Sequence, residues 1–173
     1  MKEEACWQFT GIGDLKRIIG FYMAEFVVAL ASDHAGYVRK QAIIQYFERN
    51  GIAYQDLGCY SDQPCDYPDY GHAMAKAISD GRNQVGITFC GSGQGISITA
   101  NKHRQIRSAV CWIPEIARLA RAHNNANICA IPGRFVSDED AVQIVKLFLE
   151  TPFEGGRHQV RVDKIPLQGQ DCG

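Results

Sequence analysis

The chain has 173 residues, a formal net charge of −1 and 46% hydrophobic residues, which suits one folded domain with a sizeable core and is too short for two large ones. A balance this near neutrality excludes a general nucleic-acid binder, which needs a basic field against phosphates, and the apolar content excludes a disordered chain. No apolar run of about 18 residues occurs, so no membrane span is expected.

Cysteines stand at 6, 59, 65, 90, 111, 129 and 172. The count is odd, no CxxC occurs, and Cys90, Cys111 and Cys129 lie in apolar strand-like runs. A secreted disulfide framework and a zinc site both fit poorly, and a cytoplasmic location is expected. Residues 18–31 loosely imitate an export signal after Lys16-Arg17, but Glu25 interrupts them and cleavage after Ala31 would destroy the first strand. Residues 1–22 read as an appended arm, with Met23 a conceivable start, and 23–173 as the folded domain.

From Phe26 the pattern is regular. FVVALAS (26–32) is a β-branched apolar run of the kind found in buried parallel strands. YVRKQAIIQYFERNG (37–51) sets Val38, Ala42, Ile43, Tyr46 and Phe47 at helical spacing, and Gly51 suits its stop. A short strand follows at 53–58, then turn formers at 61–71 and a helix over 72–81. VGITFC (85–90) is a second apolar strand, followed by GSGQG and a helix over 96–104. The chain continues with a strand at 107–112, a helix at 114–123, a strand at 127–131 and a helix at 137–150, capped by Ser137 or Asp138. This alternation predicts an α/β fold: a three-layer, doubly wound, Rossmann-like parallel sheet of about five strands in a single domain.

In such a sheet ligands bind beyond the carboxyl ends of the strands. One of these ends reads Ser32-Asp33-His34-Ala35-Gly36, another Cys90-Gly91-Ser92-Gly93-Gln94-Gly95. The alternate glycines let backbone N–H groups approach an anion, and a thiol at a helix start ionises more readily than a free one. Cys90 is therefore either a base or nucleophile beside an oxyanion site or a small apolar strand residue. The loop has neither the P-loop nor the GxGxxG spacing, which disfavours nucleotide binding. Asp33 either caps the next helix or works with His34. His123 either complements a helix C-terminus or serves as an acid/base near neutrality. Arg157 and Arg161, four apart on one helical face of the basic segment 155–165, suit either a solvated surface or a phosphate monoester, and Arg134 could join them.

The segments SDHAG (32–36), DYPDYG (66–71), FCGSGQGISITANK (89–102), IRSAV (106–110), AHNNANICA (122–130), PGR (132–134) and GGRHQVRVD (155–163) together resemble the type B ribose-5-phosphate isomerase family, which also includes galactose-6-phosphate isomerase subunits. The resemblance runs from about residue 26 to about 165. It implies an aldose–ketose isomerase that needs no metal or cofactor and works through a cis-enediolate. In that scheme Cys90 is the base, His123 opens the sugar ring and Ser92 assists proton exchange. Gly91, Gly93, Gln94 and Gly95 line the enediolate, and Asp33, His34, Tyr67 and Asn124 contact the sugar. Arg134, Arg157 and Arg161 hold the phosphate, and Asn101 is a further anion-site candidate. The resemblance also implies a homodimer or homotetramer with sites at the subunit interface. Pro132 and Pro114 depart from the family pattern, as does Gln94. The leading expectation is conversion of ribose 5-phosphate to ribulose 5-phosphate. Another phosphosugar (galactose 6-phosphate, allose 6-phosphate or a tetrulose phosphate) is the enzymatic alternative, and a non-catalytic phosphosugar-binding subunit is the reading of a different class.

Overall fold

The computed structural model describes residues 27–166. The expected arm at 1–22 and the possible start at Met23 lie outside the described residues, as do Cys6 and Cys172. Five strands, β1 (Val28–Ser32), β2 (Tyr54–Asp56), β3 (Gly86–Cys90), β4 (Ser108–Val110) and β5 (Ile128–Pro132), form one all-parallel sheet in the order β2-β1-β3-β5-β4. Among the described residues, six helices cover it: α1 (Tyr37–Asn50), α2 (Tyr67–Ser79), α3 (Gln94–Ala100), α4 (Pro114–Asn124), α5 (Asp138–Glu150) and α6 (Arg157–Val162). None is long and apolar enough to cross a membrane.

Strand alternation sorts the side chains onto two faces. Val28, Leu30, Ile87, Phe89, Cys129 and Ile131 pack against Ile43, Phe47, Ile144 and Phe148 under α1 and α5. Ala29, Ala31 and Ile128 face Met74, Ala75 and Ile78 of α2. Small residues on this second face let α2 sit close to the sheet. Its buried strands carry apolar residues on both sides because both faces are covered.

Three local expectations shift. The helix expected at 72–81 begins at Tyr67: the segment rich in turn formers contains Pro68, and proline suits a first helical turn, where its missing N–H would have no intrahelical partner. In α1, Val38 is 67% exposed and Lys40 is fully buried, because an ion pair described below takes the inward position. The glycine loop passes into α3 already at Gln94, two residues early. Of the two candidate caps on α5, Ser137 is the one used: its Oγ accepts the Asp140 N–H at 3.0 Å.

Candidate active site

The sheet order makes β1 and β3 neighbours whose following connections diverge, β1 leading to β2 on one side and β3 toward β5 and β4 on the other. A crevice opens there beyond the strand ends, as expected at a switch point. The cleft holds about 410 Å³ and is lined by Asp33, His34, Ala35, Tyr67, Cys90, Gly91, Ser92, Gly95, Arg134 and Phe135.

Cys90 ends β3 and is 3% exposed, yet it borders this cleft. The Gly93 N–H donates to its Sγ at 3.1 Å. That aim requires Gly93 to adopt a left-handed backbone, φ 75°, which glycine takes without steric cost. Helix α3 has only seven residues, so individual loop N–H groups, rather than a long macrodipole, supply the positive field at the sulfur. Gly95 faces the Tyr67 ring: a Cβ there would lie 2.7 Å from Cε2 and Cζ. Glycine at 95 is thus what allows Tyr67 to lie over the loop.

Asp33 accepts the Gly36 N–H at Oδ1, 2.8 Å, so it fixes the turn into α1 while lining the cleft. His34 Nδ1 lies 3.0 Å from the Cys65 carbonyl oxygen and 3.2 Å from the Cys65 nitrogen. That anchor orients the imidazole from a loop 31 residues away. Arg134 follows β5, its N–H donates to the Gly91 carbonyl at 3.2 Å, and its guanidinium carbon lies 3.6 Å from where a Cβ on Gly91 would stand. The exposed Phe135 beside it forms one rim. Gly93 is buried behind the loop, and the exposed Gln94 sits at the start of α3 rather than in the cleft lining.

The remaining expected residues lie elsewhere in the chain. Helix α4 returns from the carboxyl end of β4 to the amino end of β5, so His123 and Asn124 stand at the opposite pole of the sheet from Cys90. Helix α6 joins them there. The Glu154 N–H donates to the Ala122 carbonyl at 3.0 Å, and the His158 ring stacks on His123 with centroids 4.1 Å apart and planes 4° from parallel. Glu154 Oε2 lies 3.7 Å from His123 Nε2 and 3.6 Å from His158 Nε2. Arg157 Nε donates to His158 Nε2 at 3.3 Å, and Arg157 and Arg161 are both exposed. Burial first, then the His123 ring and the Arg157 guanidinium, hold the His158 imidazole below the ordinary histidine range. Asn101 also lies near the amino end of the sheet, with its amide tied both ways to the Ser108 backbone, donating at 2.9 Å and accepting at 2.8 Å.

The described residues therefore form two separate clusters. One has a thiol, a hydroxyl, loop amides and Arg134. The other has an imidazole pair, a carboxylate and two arginines. His123, Glu154 and His158 offer ligand atoms within 4.8 Å of one another and could hold a metal ion. Their parallel rings, however, confine the nitrogen lone pairs to parallel planes, and the Arg157 Nε–H already occupies His158 Nε2, so the trio is poorly arranged to hold a cation.

A family model described as Ribose/Galactose Isomerase matches residues 28–165. The chain belongs to the ribose/galactose isomerase family. It is therefore a sugar phosphate isomerase, an aldose–ketose isomerase by reaction class. Ribose-5-phosphate isomerase B of Escherichia coli is 41% identical over 138 residues, covering 80% of this chain and 93% of that protein. A crystal structure of ribose 5-phosphate isomerase from Thermotoga maritima is 47% identical with a TM-score of 0.80, covering 82% and 97% of the two chains. The Mycoplasma genitalium enzyme, solved with bound ribulose-5-phosphate, is 39% identical with a TM-score of 0.76, covering 81% and 93%. The expected fold and family membership are both borne out.

Sequence reasoning missed four residues of these clusters: Phe135, Cys65, Glu154 and His158. Phe135 was within reach of the strand-end rule, which had already selected Arg134. Cys65 and Glu154 act through tertiary contacts across the chain and carry no local signal.

Proposed function

We propose that the chain converts ribose 5-phosphate to ribulose 5-phosphate through a cis-enediolate, with Cys90 as the base. The reading rests chiefly on one observation: a strand-end sulfur that accepts a loop N–H and borders a polar cleft. The Cys90 thiolate takes the C2 proton of the open-chain aldose, and the electron pair moves to form the C1–C2 double bond of the enediolate. Ser92 passes the hydroxyl proton from O2 to O1, and Cys90 returns its proton to C1. Loop amides around Gly91 and Gly95 stabilise the charge that develops on oxygen, where such donors are most effective. The names of the relatives favour ribose 5-phosphate over a hexose phosphate.

His123 opens the furanose ring, and Arg157 and Arg161 bind the phosphate, remote from the reacting carbons, which supplies positioning energy. Because these groups stand at the other pole of the sheet from Cys90, the complete site joins the Cys90 cleft of one protomer to the His123 cluster of a second, as in a homodimer. Arg134 is the phosphate-reaching group on the Cys90 side, and Asn124 contacts the sugar from the His123 side.

The test is an isomerase assay over a panel of four- to six-carbon aldose phosphates. Cys90→Ala should abolish turnover while leaving sugar-phosphate binding measurable, and turnover at the parent rate would refute its role. Mixing Cys90→Ala with His123→Ala protomers, each inactive alone, should restore turnover. Failure of properly mixed dimers to recover would refute the shared site.

A further inference from the structure

His123 stands on the last turn of α4, and a side chain from the edge of the sheet reaches that turn. Arg107 immediately precedes β4 and is half-buried. Its Nε–H is shared between the Asn124 carbonyl at 3.2 Å and the Asn125 carbonyl at 3.0 Å. We propose that Arg107 is a positioning residue: by holding the two carbonyls that follow His123, it sets the His123 imidazole for ring opening. The inference rests on the function proposed above, which gives His123 a task that depends on where its ring stands.

The turn needs such a hold. The last carbonyls of a helix have no intrahelical donor, and a cation beside them is favoured by the helix dipole. Asn125 lies in the left-handed region at φ 45° and ψ 42°, and among the described residues it is the only non-glycine with positive φ. That conformation carries a steric cost for any side chain. Arg121 also supports the turn, its Nη1 donating to Asn125 Oδ1 at 3.3 Å and to the Ala126 carbonyl at 2.5 Å. Being part of α4, Arg121 braces the turn internally, whereas Arg107 links it to β4. No carboxylate of the described residues pairs with either guanidinium, so the hydrogen-bonded partners of these two cations are oxygens of the turn.

The sheet and the helix keep their other connections without that link. The Arg107 N–H donates to Asn127 Oδ1 at 2.8 Å, and its carbonyl accepts the Asn127 and Ile128 N–H groups at 3.0 and 3.3 Å. These backbone bonds join β4 to β5 whatever side chain stands at 107. The Asn125 and Ala126 N–H groups close the helix on the Arg121 and Ala120 carbonyls at 3.1 and 3.0 Å. A cleft of about 340 Å³, bordered by Arg107 and Asn125, lets water take over the two carbonyls once the guanidinium is gone. What changes is the aim of the turn, and displacing a reacting group by about 1 Å can cost on the order of a hundred-fold in rate.

The test compares two side chains that end at the depth of Arg107 Nε. Arg107→Gln keeps an N–H donor there, and Arg107→Met has none. In the full chain, Arg107→Met should lower kcat for ribose 5-phosphate about ten-fold with KM within about three-fold, because Arg134, Arg157 and Arg161 are untouched. Arg107→Gln should keep kcat within about three-fold of the parent. The His123 ring-proton signals, assigned by their loss in His123→Ala, should shift in substrate-free Arg107→Met and keep their parent positions in Arg107→Gln. Parent-like kcat or unmoved His123 signals in Arg107→Met would overturn the proposal. So would equal losses of kcat in both variants, or a rise in KM without a fall in kcat. An Arg107→Met chain lacking the parent's circular dichroism would also overturn it, by making Arg107 a folding residue. If the parent chain isomerises no pentose phosphate, the proposed function fails, while the His123 signals still report whether Arg107 places the ring.

Discussion

Lys40→Met tests how far one buried charge organises this fold. Lys40 Nζ is fully buried and donates to Asp56 Oδ1 at 2.6 Å and to the Cys59 carbonyl at 2.7 Å, with the Tyr60 ring 5.4 Å away. Methionine keeps the side-chain volume, so the change removes the charge and both bonds without opening a large cavity. Stranding one member of a buried pair costs roughly 3–5 kcal/mol. The Asp56 side chain is 20% exposed and still accepts the Gly58 N–H at 2.9 Å, so the lower end, about 3 kcal/mol, applies. Urea unfolding followed by circular dichroism should show a lowered midpoint with an unchanged slope. Adding Asp56→Asn removes the stranded charge and should recover part of the loss. A destabilisation under about 1 kcal/mol, or a double variant no better than the single, would refute the reasoning.

The other expectations concern the His123 pole. On the proposed function, Arg157→Ala should raise KM for the sugar phosphate more than it lowers kcat, because a phosphate contact of that kind is made equally in ground and transition states; a fall in kcat alone would contradict that role. His158, held below its ordinary value of 6.5, binds fewer protons folded than unfolded. Its contribution to stability is therefore full above about pH 6.5 and is lost as the pH falls below it. Melting temperature should decline from pH 7 to pH 5, and His158→Gln should flatten that decline; an unchanged pH slope would remove the assignment.

The layered fold and the Cys90 cleft were legible because their signals are local. Val28 to Ser32 and Gly86 to Cys90 announce buried strands, and ligands in parallel sheets gather at strand ends. Strand ends alone pointed to Asp33, His34, Cys90 and its glycine loop, and Arg134. Lys40 was unreadable, because nothing near it in sequence says that Asp56 and the Cys59 carbonyl will face it. Val38 looked inward for the same reason: the α1 face is fixed by that ion pair as well as by apolar spacing. The position of His123 could be named but not located. Periodicity gives a helix and its residues, but only the strand order and the direction of α4 place its end at the far pole from Cys90.

That polarity has a consequence for how the protein behaves in solution. If thiol and imidazole meet only between molecules, a closed two-fold pair must lie with its sheets running in opposite directions, each protomer lending its far end to the other's near end. Such a pair of unaltered protomers has two working centres, and a lone protomer has none. Specific activity then becomes a function of dilution, with substrate that bridges both molecules slowing their separation.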